Sequence, residues 1–330
     1  MRSLPVVRLS SRKVRSPLPR VPRFRLRTVD LDGPVAYAEL GERGKGPTLV
    51  LVHGLGGNHL NWLPAASQLA RQHHVLAVDL LGFGRTPEAG RGHGLVAQRT
   101  MLARFLAEVA GDPAVLVGNS MGGLVALMTA AEVPKRVSDL VLVSPALPPP
   151  PGPLHLEPSQ IARQLVHLLP GVGELALWLD GRRGGARKLF LDLLTLGTKD
   201  VDRVPSEVVE ANVSLIADRM ERHPFGHASS YLDATRSMLF HLAQPGLVHR
   251  WAESVEARTL ILHGSHDRLV PPSFSRAFVE RHPAIELQIL DDVGHVPQME
   301  DAPRFVELVT RWLAAGGEAL VEECPPSRAA

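Results

Sequence analysis

The sequence predicts a protein of the α/β class, with a mostly parallel, doubly wound sheet interrupted by an inserted block of helices. Three observations predict this architecture. Short, continuous apolar runs alternate along the chain with segments of helical periodicity, and such runs are typical of strands buried on both faces of a parallel sheet. The alternation stops between about residues 146 and 250, and it resumes afterwards. One core with a helical insertion explains this pattern better than two domains in series.

The first two strands are predicted as an antiparallel hairpin. Phe24–Val29 and Val35–Leu40 flank Asp32 and Gly33, a dipeptide that favours the tight turn of a hairpin. The runs rich in Val, Ile and Leu that follow are predicted as strands of the parallel part. They are Thr48–Val52, Val75–Val78, Val115–Val117, Leu140–Val143, Thr259–Leu262 and Ile285–Leu290.

Helical periodicity fills the intervals between these runs. The predicted core helices are Val96–Val109, Met121–Ala131, Ser273–Arg281 and Pro303–Leu313. The predicted helices of the insertion include Ile161–Leu169, Leu175–Leu179 and Ala186–Leu196, and Gly181, Gly184 and Gly185 predict a mobile surface loop between the last two. The domain prediction is a basic, disordered arm at residues 1–23, a core formed by 24–145 and 251–315, a helical cap at 146–250 and a flexible tail at 316–330.

The basic residues are concentrated at the N-terminal end. Of 36 basic and 34 acidic residues, nine basic residues and one acid lie within residues 1–30, which leaves 27 basic and 33 acidic residues in the rest of the chain. A solvated extension is the simplest interpretation, and contact with an anionic membrane surface through residues 1–27 is the alternative. Residues 1–30 contain one aromatic residue, Phe24, and no recognisable motif, so no nucleic-acid partner is expected.

Cysteine content and hydropathy predict a cytoplasmic protein, with peripheral membrane contact as the alternative. The single cysteine, Cys324, cannot form an intrachain disulfide, and the arm lacks the apolar centre of a secretory signal. Two uncharged stretches, residues 46–70 and 113–131, contain several glycines and polar residues. We therefore interpret each as a buried strand, a glycine turn and a helix rather than as a membrane span.

A nucleophile is predicted where one strand turns into a helix. The pentapeptide from Gly118 to Gly122 fits the pattern G-x-S-x-G, with Ser120 at its centre. Glycines two residues before and after the serine give room for a tight, strained turn, which lifts the hydroxyl to a helix N-terminus. There the amides and the helix dipole favour developing negative charge.

A base and an acid are predicted on two later strand-end loops. A serine hydroxyl needs a base to react, and His295 follows the last apolar run at the same edge of the sheet as Ser120. His53 and His263 are interpreted as structural. Asp267 follows the preceding run and is predicted to orient His295, since Ser, Asp, His is the chain order that one class of hydrolases uses.

Two backbone amides are predicted to bind an oxyanion. One belongs to Met121, which follows the nucleophile, and the other to Leu55, in the glycine-rich turn after the first buried parallel strand. No Gly-Lys-Ser or Gly-Lys-Thr follows that turn, so it is not predicted to be a phosphate-binding loop.

These motifs together resemble the α/β-hydrolase superfamily over about residues 24–315. The matching segments are 53–57, 79–84, 118–123, 264–267 and 294–295. The resemblance implies a helical cap over the active site and no cofactor, and no metal ligands are predicted. The segment 119–123 is similar to that of hydrolases that cleave carbon–carbon bonds in ring-fission products, and the tetrapeptide 120–123 is shared with monoacylglycerol lipases and carboxylesterases.

The function predicted from the sequence is hydrolysis of carboxylic esters with an apolar acyl group, through an acyl-enzyme intermediate and with a small-molecule ester as the partner. Apolar segments of the cap favour that acyl group. Two alternatives stay open. One is a carbon–carbon bond hydrolase, although Val296 stands where such enzymes usually have tryptophan. The other is a ligand-binding receptor that keeps this fold.

Overall fold

The structure is a computed structural model that describes residues 24–87, 90–111, 113–152, 169–222 and 226–316. The predicted arm at residues 1–23 and the predicted tail beyond Gly316 lie outside the described residues. So does the predicted helix Ile161–Leu169, except for its last residue. No helix among the described residues combines the length and the apolar character needed to cross a membrane.

Eight strands form one sheet in the spatial order β1-β2-β4-β3-β5-β6-β7-β8. Strands β1 and β2 pair antiparallel, as do β2 and β4, and the other neighbours are parallel. The strands are β1 Arg25–Asp30, β2 Pro34–Leu40, β3 Thr48–Val52, β4 His74–Val78, β5 Ala114–Asn119, β6 Val137–Val143, β7 Arg258–Gly264 and β8 Ile285–Leu290. The predicted fold class, mostly parallel with an antiparallel hairpin at its start, is confirmed.

The helices of the core follow the strands as the alternation predicts. They are α1 Leu63–Leu69, α2 Leu95–Phe105, α3 Met121–Glu132, α8 Pro272–Arg281, α9 Pro297–Glu300 and α10 Ala302–Ala314. Between β6 and β7 lie α4 Val172–Gly197, α5 Ser206–Arg222, α6 Gly226–Leu242 and α7 Pro245–Ser254.

The core has one apolar layer on each face of the sheet, which is why the strands carry continuous rather than alternating apolar runs. Along β3, Val50 and Val52 belong to one layer with Phe105 of α2, and Leu49 and Leu51 belong to the other. Each fully buried Val, Leu or Phe side chain contributes about 1.5–3 kcal/mol. These two layers hold the parallel strands in register. Because strands β3 to β8 run parallel, their carboxyl ends meet at one edge of the sheet.

Helix α4 differs from the prediction made from its glycines. We expected a mobile surface loop around Gly181 and Gly184, but the chain is helical there and leaves helical geometry only at Gly185, where φ is 70° and ψ is 171°. A β-carbon at Gly181 would lie 3.0 Å from Cε of Met220 in α5. Glycine here permits close approach of two helices, and it does not mark a loop.

Candidate active site

Ser120 occupies the turn between β5 and α3 with a φ of 55° and a ψ of −120°. A non-glycine residue adopts this backbone conformation at an energetic cost, and such strain is concentrated at functional sites. The turn is held by hydrogen bonds from Ser120 N to Val143 O and from Ala146 N to Ser120 O, both 3.0 Å. A β-carbon at Gly122 would collide with the backbone of His53. Glycine is therefore required at this position, two residues after the serine, for α3 to approach the chain at His53.

His295 lies in the loop after β8 and is buried. Its Nδ1 lies 2.6 Å from Oδ2 of Asp267, in the loop after β7. Its backbone is fixed from two sides, since His295 N donates to Gly197 O at 2.6 Å and Asn119 Nδ2 donates to His295 O at 3.1 Å. The side chain that precedes Ser120 therefore contacts the backbone of His295 directly.

Asp267 is surrounded by donors. Its Oδ1 accepts from the amides of Leu269 and Val270, both at 2.9 Å, and its Oδ2 lies 3.1 Å from Nε2 of His263. Burial alone would raise the pKa of Asp267. The charge of His295 and the hydrogen bonds from His263, His295 and the Val270 amide outweigh burial and hold this pKa below its ordinary value. The carboxylate is therefore ionised at neutral pH, and it faces the imidazole of His295.

Among the described residues, Ser120 Oγ makes no hydrogen bond to the ring of His295. The serine is half-buried, and this contact is often long in the absence of a substrate. The structure brings His295 and Asp267 into direct contact. It connects Ser120 to His295 through the neighbouring Asn119.

The two predicted amides belong to residues close to Ser120, one in chain position and one through the turn after β3. Met121 is the first residue of α3. Leu55 follows Gly54, at which a β-carbon would lie 3.1 Å from Cβ of Ser120. Neither the Leu55 amide nor the Met121 amide donates a hydrogen bond to another described residue. Within the described part of the chain, both amides are therefore free of a hydrogen-bond acceptor.

His53 supports the turn that carries Leu55. Its Nδ1 lies 2.8 Å from Gly54 O, and its Nε2 accepts a hydrogen bond from Leu80 N at 3.0 Å. Burial lowers the pKa of His53 to about 4, so the ring is neutral at pH 7 and Nε2 remains an acceptor. This arrangement agrees with the structural role predicted for His53. In the described part of the chain, no group of three or more His, Cys, Asp or Glu side chains is placed to hold a metal ion.

His263 has a contact that sequence reasoning missed. Its Nδ1 lies 2.7 Å from Oγ of Ser275, and its Nε2 lies 2.9 Å from Val270 O as well as close to Asp267. Because Val270 O can only accept, Nε2 must carry the proton. The histidine is buried and structural, as predicted, but what it supports is the acid of the site.

Glu300 is a second missed residue. It is buried at the end of α9, and its carboxylate accepts hydrogen bonds from Gly294 N at 2.8 Å, from Lys199 N at 3.1 and 3.2 Å and from Asp200 N at 3.1 Å. Gly294 precedes His295, whereas Lys199 and Asp200 follow α4. One carboxylate thus ties the loop of His295 to the end of a helix about a hundred positions earlier in the chain.

Replacing Glu300 with alanine should lower the free energy of unfolding by about 3–5 kcal/mol, because three backbone amides would lose their acceptor and each such loss costs about 1–3 kcal/mol. Urea denaturation followed by circular dichroism measures the change. Glu307→Ala is the matched control, since Glu307 is exposed and pairs with Arg311 at the surface. Equal urea midpoints for Glu300→Ala and Glu307→Ala would contradict this role.

Comparisons with known proteins identify the family of this fold. The family model described as alpha/beta hydrolase fold matches residues 47–302. The dihydrolipoyllysine-residue acetyltransferase component of the acetoin cleaving system of Cupriavidus necator is 31% identical over 285 residues, which cover 86% of this chain and 68% of that protein.

Two further relatives are named after different substrates. A pimeloyl-(acyl-carrier protein) methyl ester esterase of Aeromonas salmonicida is 28% identical and matches 81% of this chain and 95% of its own length. A 2-hydroxy-6-oxo-2,4-heptadienoate hydrolase of Pseudomonas putida is also 28% identical and matches 84% of this chain and 92% of its own length.

Proposed function

This chain belongs to the α/β-hydrolase fold family, and from that premise we propose that it is a serine hydrolase with Ser120, His295 and Asp267 as its catalytic triad. The observation that carries the proposal is the 2.6 Å contact between Asp267 Oδ2 and His295 Nδ1, next to a serine held in a strained turn. With Nδ1 donating to the carboxylate, Nε2 of His295 is left as the basic nitrogen.

The reaction that we propose begins with attack of Ser120 Oγ on the carbonyl carbon of an ester while His295 Nε2 takes the hydroxyl proton. The carbonyl oxygen becomes an oxyanion and accepts hydrogen bonds from the amides of Leu55 and Met121. His295 then gives its proton to the departing alcohol. Water attacks the acyl-enzyme with His295 again as the base, and the released acid leaves Ser120 as it began.

We propose an ester with an apolar acyl group as the substrate. Apolar side chains border His295, since a β-carbon at Gly197 would lie 3.9 Å from Cδ1 of Leu269 and 4.0 Å from Cγ2 of Val296. Leu269 and Leu196 are also among the large apolar side chains that remain exposed. An exposed apolar surface beside a reactive histidine supports contact with an apolar substrate.

Carbon–carbon bond hydrolysis is the second candidate, because one relative is named as a dienoate hydrolase. The carboxylate of such a substrate needs a cationic partner near the serine. Among the arginines of helix α4, Arg187 pairs with Glu210 at the surface, and Arg182 is exposed and lies over the ring of Trp178. These contacts support the ester reaction over the carbon–carbon reaction.

A third candidate, a ligand-binding receptor of the same fold, is separated from both enzymes by the reactivity of Ser120. A fluorophosphonate probe labels a serine that a histidine activates. Labelling at Ser120 supports an enzyme, whereas an unlabelled, folded protein supports a receptor.

Substrate length provides a direct test of the ester proposal. We expect kcat/KM to rise from acetyl to at least hexanoyl p-nitrophenyl esters, because each buried methylene contributes about 0.8 kcal/mol. We also expect negligible turnover of a ring-fission dienoic acid. Rapid cleavage of that acid, together with no dependence of ester turnover on acyl length, would favour the carbon–carbon bond hydrolase instead.

A further inference from the structure

His263 lies directly behind the acid of the proposed triad. It is the penultimate residue of β7, and neither its side chain nor that of Asp267 is exposed to solvent. Its Nε2 lies 3.1 Å from Oδ2 of Asp267, and the same oxygen lies 2.6 Å from Nδ1 of His295. Two histidines therefore share one carboxylate oxygen, and the reaction proposed above uses only one of them.

The partners of the His263 ring determine where its proton lies. Nε2 faces two groups that only accept, the Asp267 carboxylate and Val270 O at 2.9 Å, so Nε2 carries the proton. Nδ1 lies 2.7 Å from Oγ of Ser275, a buried residue of α8. A neutral imidazole has one donor nitrogen and one acceptor nitrogen, and the serine hydroxyl therefore donates to Nδ1. Ser275 thus favours the tautomer in which His263 donates to Asp267.

The contact with His263 adds a donor to a carboxylate that is held on both of its oxygens. Oδ1 of Asp267 accepts from the amides of Leu269 and Val270, both at 2.9 Å, and Oδ2 faces the two histidines. Burial raises the pKa of Asp267, whereas the charge of His295 and the hydrogen bond from His263 lower it. The carboxylate cannot rotate without breaking hydrogen bonds in a buried site, which is costly. His263 thus fixes the direction in which Oδ2 meets His295.

We propose that His263 is a positioning residue for the catalytic base, which it orients through Oδ2 of Asp267. This inference rests on the proposed serine hydrolase reaction and deepens it, because it adds the pair of His263 and Ser275 behind the triad. His295 becomes an imidazolium when Ser120 attacks, and a carboxylate that is already in place stabilises this charge without reorganising. His263 acts through Asp267 and not on the substrate. Its contribution should therefore appear in kcat and not in KM.

The test compares two amide side chains that differ by one methylene. The nitrogen of glutamine can take the position of Nε2 and donate to Asp267, whereas the shorter asparagine reaches only the position of Nδ1, beside Ser275. His263→Asn should lower kcat on p-nitrophenyl hexanoate by about 10- to 100-fold, the factor that corresponds to the loss of one hydrogen bond to a charged group. KM should stay within about twofold of the wild type. His263→Gln should lie closer to the wild type than to His263→Asn.

His74→Asn is the matched control. His74 is also a buried histidine in a strand, and its ring contacts Thr48 and Glu39, neither of which belongs to the proposed site. Its kinetics should equal those of the wild type. Thermal unfolding followed by circular dichroism gives the temperature range in which each variant is folded, and the kinetics are compared within that range.

NMR spectroscopy provides a readout that does not depend on turnover. The proton that His295 Nδ1 shares with Asp267 lies in a short, charge-assisted hydrogen bond. Its strongly deshielded resonance is assigned by its loss in His295→Ala. This resonance should shift or broaden in His263→Asn and stay near the wild-type position in His263→Gln. In the wild type, the ¹⁵N shifts of His263 should place a proton on Nε2, which tests the inference even if His263→Asn does not fold.

Wild-type kcat together with an unchanged resonance in folded His263→Asn would overturn the inference. Equal losses in the asparagine and glutamine variants would do the same, as would a proton found only on Nδ1 of His263. If the wild type hydrolyses no ester of the series, the proposed function itself fails, and the NMR measurements then decide whether His263 orients His295.

Discussion

Replacing Ser120 with alanine should reduce ester turnover by about 10⁶, the order found when the nucleophile of a serine triad is removed. No covalent acyl-enzyme can form without Oγ, so neither burst kinetics nor labelling by a fluorophosphonate should remain. Alanine keeps the β-carbon, and the turn is held by its backbone through Val143 O and Ala146 N. The free energy of unfolding should therefore change little.

Ser144→Ala is the control for that variant. Ser144 follows β6, has a φ of 42°, and its buried Oγ has no hydrogen-bond partner among the described residues. It resembles Ser120 in residue type and in its positive φ but has no place in the proposed reaction. Wild-type turnover in Ser144→Ala together with loss in Ser120→Ala identifies the nucleophile. Substantial turnover in a folded Ser120→Ala enzyme would assign the nucleophile elsewhere.

Replacing Asp267 with asparagine should lower kcat by about 10⁴, as in serine proteases. The carboxylate accepts from His295 with one oxygen and from the Leu269 and Val270 amides with the other. An asparagine that keeps its oxygen toward the two amides turns its NH₂ group toward His295 Nδ1. The imidazole then adopts the opposite tautomer, and Nε2 can no longer take the proton from Ser120.

Asp291→Asn is the control, because Asp291 is exposed in the loop that leads to His295. Arg304 contacts its backbone oxygen, and this contact does not depend on the carboxylate. kcat should stay within about twofold of the wild type, as expected for an exposed substitution outside the site. Near-wild-type kcat in Asp267→Asn would remove Asp267 from the triad, and comparable losses in both variants would point to the net charge of the loop rather than to the tautomer.

The strands were predictable from sequence because both faces of the sheet are buried. Thr48–Val52 and Ile285–Leu290 have the predicted bounds, since continuous apolar runs occur where a strand has no solvent face. Helix α3 ends one residue later than predicted. Asp267 and His295 each follow a predicted strand. They were predicted to lie in neighbouring loops because the carboxyl ends of parallel strands meet at one edge of the sheet.

The supporting residues were not predictable in the same way. No local sequence pattern distinguishes Glu300 from the other acidic residues of the chain. The amides of Lys199 and Asp200 that donate to its carboxylate lie far away in sequence. The helix through Gly181 was mistaken for a loop because glycine favours loops by conformational freedom. Its packing against Met220 is a long-range effect.

The buried carboxylate of Glu300 also determines where this chain can be cut and recombined. Lys199 and Asp200 come after the last residue of α4, but their amides donate to the carboxylate of Glu300 in α9, which also accepts from Gly294 in the loop of His295. An engineered chimera that exchanges the helices after β6 for those of a relative must therefore restore two amides at this point. A junction placed after Asp200 transfers the two amides together with α4. A junction within α4 joins segments from two proteins, and the orientation of His295 then depends on whether the new segment still presents amides to Glu300.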